Sequence, residues 1–546
     1  MRNPIAWQRN KAALDLRMRL KPLRGQGSCA VLAALLLILN GCGREATPPA
    51  TADANQHPGE LARKEVRTRA RNSRKPRAVP VRGERTNGDS LPADQENLQE
   101  AIARAEPAAP AGGALFGESG DRPTIARQDI VAARSDVGEL TRRAEAAGLR
   151  TLSSRHLTLF TDLPADEEVD ALPEIFDLAH PQWCRYFGIS VNQRPHWRMV
   201  GCLMVARERF AAAGLIPDNL PEFLHGYTVG DRFWMHEQPT EYYRRHLMLH
   251  EGTHGFMNAR LGGCGPPWYM EGIAELLATH DLENVGGQWR LEMNHFPASR
   301  EEMPYWGRIK IVKDGLEGGS AFGLLQIVRT NHESFLRNAA YGWSWAAAAY
   351  LDGHPDYRDR FRKLPDHVLA ADFNRRMLDS FDDDRVALHE QWQVFVGYLE
   401  YGYDLERMAI DFQPGESVDA GGQATVTLAA DRGWQSSGVR VEEGQNYKIT
   451  AAGRYQIARD TDIWWCEPGG VTIRYYRRLP LGILVGAVRP DDWDGATTSA
   501  FLNPSPIGLE TTLTPPQSGT VYLRVNDSAA ELHDNAGTLD VVIRRE

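Results

Sequence analysis

Four residues constrain this chain more than any other feature: His250, Glu251, His254 and Glu271. On a helix, residues four apart leave the same face, so His250 and His254 present their imidazoles together. Glu241 to Leu249 carries neither Gly nor Pro, and Leu247, Leu249 and Phe256 supply apolar positions. The spacing therefore predicts a helix, ended by Gly262-Gly263 and Gly265-Pro266-Pro267. Two neutral imidazoles at this spacing can share one tetrahedral zinc. Glu251 sits one step round, beside the open coordination position, where a carboxylate can take a proton from water. Beyond the turn, Trp268 to Leu277 reads as a second helix with Glu271 and Glu275 one turn apart. A short helix-loop-helix returns Glu271 to the histidines and completes a His2Glu set with one position left over.

These residues resemble the gluzincin metallopeptidases, which include thermolysin and the aminopeptidase-N family. Their His-Glu-x-x-His is followed by a helical ligand Glu. In the aminopeptidases that Glu lies in Trp-x-x-Glu-Gly-x-Ala, matched here by Trp268-Tyr-Met-Glu271-Gly-Ile-Ala. The resemblance implies zinc on His250, His254 and Glu271, and Glu251 as the base. It also implies that Glu275 holds a ligand imidazole through its other nitrogen. Tyr341 matches, in position and helical context, the family tyrosine that steadies the oxyanion; a core-packing tyrosine is the other reading. The aminopeptidases' Gly-x-Met-Glu-Asn segment is absent, which weighs against an aminopeptidase. His246 is read as support, because a third ligand one turn back would fall too far from the metal. His225 and His280 are candidates for substrate contact, though a lone histidine is more often structural.

Around this motif, residues 149–411 read as the metallopeptidase domain, mainly helical with a small sheet ahead of the metal helix. Strands are expected at His156–Asp162, Trp197–Val205 and Tyr227–Met235, the last along the substrate cleft. Helices are expected at 166–187, from Tyr341, at 358–364 and from Leu388.

From 413 to 546 the character changes to alternating strands with Gly, Pro, Asp and Asn turns, which reads as an all-β sandwich; the fold class expected overall is α+β. Between the last two strands Asn526, Asp527, Glu531, Asp534 and Asn535 crowd one short loop. Calcium favours such oxygen-rich sets, and a polar turn without metal is the plainer reading. With Gly444-Gln-Asn-Tyr-Lys-Ile-Thr-Ala-Ala-Gly453, this loop resembles the galactose-specific soluble bacterial lectin. The resemblance implies calcium on the side chains of Asp527, Asp534 and Asn535, with carbonyls at Glu531 and near Ile457. Asp534 stands where the lectin has Asn, and its further sugar-contacting His and Gln find no counterpart, so the lectin-like fold is better supported than sugar binding.

The amino-terminal third reads differently. Residues 1–42 run basic, then apolar from Cys29 to Leu39, then Leu39-Asn40-Gly41-Cys42, which looks like a bacterial lipobox with lipid expected on Cys42. Met18 offers a start that gives a signal of more usual length. Residues 43–148 are rich in Ala, Pro, Arg and Glu, with a basic tract from Arg63 to Arg85, and are expected to form a disordered tether. Stretches 95–106 and 124–148 are candidate helices. An exported, lipid-anchored envelope protein follows, on the outer membrane if the cell is Gram-negative. The net charge of −10 argues against nucleic acid as a partner. Six cysteines include no Cys-x-x-Cys; Cys184 and Cys202 are either a disulfide or separate buried thiols. The function expected is zinc-dependent hydrolysis of a peptide or protein, with the carboxy-terminal module binding carbohydrate or a partner. The alternative is an envelope carbohydrate-binding or adhesion protein with a non-catalytic zinc domain.

Overall fold

The structure is a computed structural model that describes residues 136–546, apart from Arg194, Pro195 and Asp460. The expected signal segment with Cys42, the basic tract and the expected helix at 95–106 lie outside the described residues. No described helix is long and apolar enough to cross a membrane. The chain is mixed helix and sheet.

Helix α1 (Val137–Ala146) is capped by Asp136, whose carboxylate accepts from the Glu139 amide at 3.2 Å. Leu140 and Ala144 on α1 are buried. The folded part thus begins about a dozen residues inside the expected tether. Strands β1 (Arg150–Ser153), β2 (Leu157–Thr161), β3 (Met199–Met204), β4 (Gly226–Val229) and β5 (Arg232–His236) form one sheet, ordered β1-β2-β3-β5-β4. The three inner strands are parallel and the two edges antiparallel. β2 and β3 are buried at every residue, because apolar clusters cover both faces of the sheet.

One expectation is corrected here, and one open alternative is decided. Tyr227–Met235 is not one strand but the β4–β5 hairpin, which turns at Gly230 with φ 61°. A left-handed residue there is cheap only for glycine. Cys184 and Cys202 are free and buried, and no disulfide joins them. Cys184, on α2 (Leu172–Tyr186), packs in the cluster on one face of the sheet; Cys202, on β3, packs in the other.

Helix α3 (Glu241–Leu261) starts at Thr240, whose hydroxyl accepts from the Tyr243 amide at 3.2 Å, and stops at Gly262, φ 82°. Helix α4 (Pro267–Ala278) follows, then the hairpin β6 (His280–Val285) and β7 (Gln288–Met293). The longest helices that follow are α5 (Arg308–Glu317), α6 (Asn338–Gly353) and α7 (Arg385–Tyr398), with shorter ones between them. α6 lies unusually close on α4: a Cβ on Gly272 would come 2.7 Å from the Ser344 carbonyl oxygen. The glycine after Glu271 is what lets α6 bring Tyr341 to the histidines.

The carboxy-terminal part holds strands β8 (Glu416–Ser417), β9 (Gln423–Ala429), β10 (Gln435–Val441), β11 (Tyr447–Ala452), β12 (Tyr455–Arg459), β13 (Ile463–Cys466), β14 (Gly469–Tyr476), β15 (Leu479–Pro490), β16 (Ser505–Pro506), β17 (Glu510–Leu513), β18 (Gly519–Val525) and β19 (Thr538–Arg545). One sheet runs β14-β15-β18-β10-β8, with β16 also on β15; another runs β17-β11-β19-β9; β12 and β13 pair separately. Side chains of both larger sheets, among them Val439, Leu523, Ile449 and Val541, meet in one apolar core. A second shared core joins this part to the helices, through Phe501, Leu502 and Tyr522.

Candidate metal centre

α3 presents His250 and His254 on one face, and α4 returns Glu271 to them. The two Nε2 atoms are 3.1 Å apart, and Glu271 Oε2 lies 3.2 Å from His250 Nε2 and 3.5 Å from His254 Nε2. All three residues are buried. Donors bound at about 2.0–2.1 Å to a tetrahedral ion sit about 3.3 Å from one another. The triangle therefore has the dimensions of one face of such a site. Glu271 Oε2 is buried without a hydrogen-bond partner, so the chain leaves an anionic donor unanswered where a cation would go. Burial pulls the Glu271 carboxyl up, but His254 and His250 outweigh it and hold it down to about 2. The residues fit a divalent metal.

Glu275 supports this triangle from behind. Its Oε1 lies 3.5 Å from His250 Nδ1 and its Oε2 3.2 Å from His246 Nε2. Both oxygens also accept from Arg308, from Nη2 at 2.7 Å and Nε at 2.9 Å. His246, His250 and Glu275 are themselves close enough to share an ion. A cation there would compete with the Arg308 fork, which makes this group a brace instead. His246 anchors it through Nδ1, 3.0 Å from the Ala278 carbonyl. Arg308 was not anticipated. Its one sequence signal is an arginine on the buried stripe of α5, beside Ile309, Val312 and Leu316.

Glu251 sits between α3 and β4. The Thr228 hydroxyl donates to its Oε2 at 2.6 Å, and a Cβ on Gly226 would run into its Oε1. Burial raises its pKa, against the pull of His250 and His254. β4 is an edge strand, so its outer side is open to pairing. The Tyr341 ring is 6.4 Å from that of His250, wedged edge-on against Phe335 at 5.1 Å, with the Arg308 guanidinium 5.7 Å from its centre. Burial, then the charges of Glu271 and Glu251, push its hydroxyl pKa well up. His225 is exposed just ahead of β4. His280 is not a substrate contact: it is buried, stacked on Tyr242 at 4.6 Å and bonded through Nδ1 to the Ala278 carbonyl at 2.9 Å.

The oxygen-rich loop is also assembled. Asp527 Oδ2, Asp534 Oδ1 and Asn535 Oδ1 are all buried without a hydrogen-bond partner. Their neighbouring atoms are engaged: Asp527 Oδ1 accepts from the Ser528 amide at 2.7 Å, Asp534 Oδ2 from the Arg459 amide at 3.0 Å, and Asn535 Nδ2 donates to the Ala430 carbonyl at 3.2 Å. Burial pushes Asp527 up to about 6. Ile457 stands at a bulge in β12, between the paired Gln456 and Ala458. Glu531 turns its carboxylate to Arg474, 3.1 Å away. This donor set, hard oxygens without donors to meet them, fits calcium.

No protein-family model matches the chain, and no curated protein matches it. Part of the chain is similar to a solved domain described as "EclA N-terminal domain; PllA-like lectin", at 20% identity over 22% of this chain and 95% of that one. The TM-score is 0.18, too slight to carry a fold assignment.

Proposed function

We propose that this chain is a zinc-dependent peptidase of the gluzincin type, held at the cell envelope by lipid on Cys42. The observation that carries the reading is the triangle of His250, His254 and Glu271, with edges of 3.1 to 3.5 Å, beside a buried Glu251. Zinc there would supply a Lewis acid for the scissile carbonyl and its attacking water. Glu251 takes the proton of that water and passes it to the leaving nitrogen; Thr228 holds its carboxylate in place, and burial raises its basicity. Tyr341, protonated at any working pH, donates to the oxygen that gains charge. The outer edge of β4 offers backbone pairing to an extended peptide. Export and anchoring rest on the Leu39-Asn40-Gly41-Cys42 sequence alone.

A second reading, an envelope carbohydrate-binding or adhesion protein with a non-catalytic zinc domain, is favoured by the unpartnered oxygens of Asp527, Asp534 and Asn535. One preparation separates the two. Profiled against a peptide library, the protein is expected to cleave, and Glu251→Gln to lower cleavage about 10²–10⁴-fold while zinc stays bound. Protein purified without stoichiometric zinc would overturn the first reading. Calcium-dependent retention on galactose resin with no cleavage of any peptide would establish the second.

A further inference from the structure

The β-rich part carries a groove that uses neither the histidines nor the oxygen-rich loop. It opens between β15–β16 and the edge strand β17, walled by the segment 491–503, with a volume of about 980 Å³. Its floor is apolar, with the partly exposed Val488, Pro506 and Leu513. Its walls present Thr511, Asn503 and Gln517, and the carboxylates of Asp492 and Asp494. Among the described residues no Lys, Arg or His lines it. A phosphorylated or carboxylated ligand would therefore meet two like charges and no counter-charge. A purely apolar ligand would strip water from the hydroxyls and carboxamides without replacing it.

A neutral polyol satisfies both surfaces. Its C–H faces cover the floor, and its hydroxyls pair with carboxylates, carboxamides and threonines, each able to accept. Trp493 forms part of the wall. It lines the groove and is only 8% exposed, with its indole N–H enclosed by the protein. The ring is held in place by stacking on His389 of α7, with centroids 5.9 Å apart and planes 14° apart. The next turn packs there too, since a Cβ on Gly495 would come 2.8 Å from His389 Cδ2. The wall is thus built before any ligand arrives.

We infer that this groove binds a neutral oligosaccharide, with neither calcium nor zinc required. The test uses the full chain in excess chelator, titrated calorimetrically with malto-, cello-, chito- and galacto-oligosaccharides of four to six units. At least one is expected to bind. Thr511→Trp, which fills the groove from β17, is expected to abolish that binding. Asn503→Ala, which removes an exposed carboxamide from the wall, is expected to weaken it about 5- to 10-fold. Both variants should melt as the parent does and keep any peptide cleavage. Should Thr511→Trp fail to fold, the Asn503→Ala titration decides alone. No binding in chelator, or binding that neither variant changes, would overturn the inference. So would selective uptake of basic peptides in place of sugars. Loss of peptide cleavage elsewhere in the chain would leave it untouched, since the groove shares no residue with that site.

Discussion

Arg308 is where the metal centre depends on a residue far from its motif. Burial pulls the Glu275 carboxyl up, but Arg308 and His246 more than offset this and hold it well below the usual range. The charged Glu275 can then orient His250 through Nδ1, leaving Nε2 for the metal. Arg308→Met would strand that carboxylate in the core. The expected cost is about 3–5 kcal/mol of stability, and zinc affinity should fall about 10–100-fold. Competition with a chromophoric chelator and thermal melting measure the two. Arg308→Lys keeps charge without the planar fork and should fall between. If Arg308→Met binds zinc as the parent does, Glu275 is not what orients His250. The ligands were legible because they repeat at helical spacing. Arg308 and Thr228 were not, because each reaches the site from an element the motif does not include.

At the level of elements, the helix termini carry buried histidines that set an acid limit. His280 follows α4 and His354 caps α6, and both are almost wholly buried. Burial lowers His280 to about 3 and His354 to about 4. Folded, they stay neutral; unfolded, they take up protons near pH 6.5. Below that pH the unfolded state therefore binds more protons, and stability falls as pH drops from 6.5 towards 3. For His280 alone the shift from 6.5 to about 3 is worth up to about 5 kcal/mol. His280→Phe retains the stack on Tyr242 and removes the titration. In metal-free protein its melting temperature should lose less than the parent's between pH 6.5 and 4.5; an equal loss would contradict the argument. The α4–α6 contact shows how local sequence and packing combine. Gly272 was visible as part of Trp268–Ala274, but its reason, the Ser344 carbonyl at its back, exists only once α6 docks.

Over the whole molecule, helices give way to strands after Tyr398, yet the two parts do not sit as separate modules. Glu390 of α7, fully buried, accepts from Arg489 Nε at 2.6 Å and Ser499 Oγ at 2.9 Å. Tyr398 OH donates to the Phe501 carbonyl at 3.0 Å. Glu400 Oε1 accepts from Ser528 Oγ and the Ala529 amide, both at 2.8 Å, so the helical part braces the oxygen-rich loop. A chain ended at residue 411 would bare the apolar surface under Phe501 and Leu502 and leave Glu390 unpaired. It should aggregate or melt well below the full chain, and the full chain should show one calorimetric transition. Two resolved transitions, with a soluble, folded fragment, would refute a shared core.

What the sequence determined by itself is local: the helical spacing of His250 and His254, the return of Glu271, the strand character of the carboxy-terminal part, and the oxygen-rich loop. Each is written in neighbours a few residues apart, where backbone geometry alone decides which side chains share a face. Tertiary structure decided what depends on distant partners. It turned Tyr227–Met235 into a hairpin beside Glu251, and it separated Cys184 from Cys202 across a sheet. It also set Arg308 behind Glu275 and joined the two halves through one core. Close packing and the pairing of buried charge fix those arrangements, and neither leaves a period in the sequence.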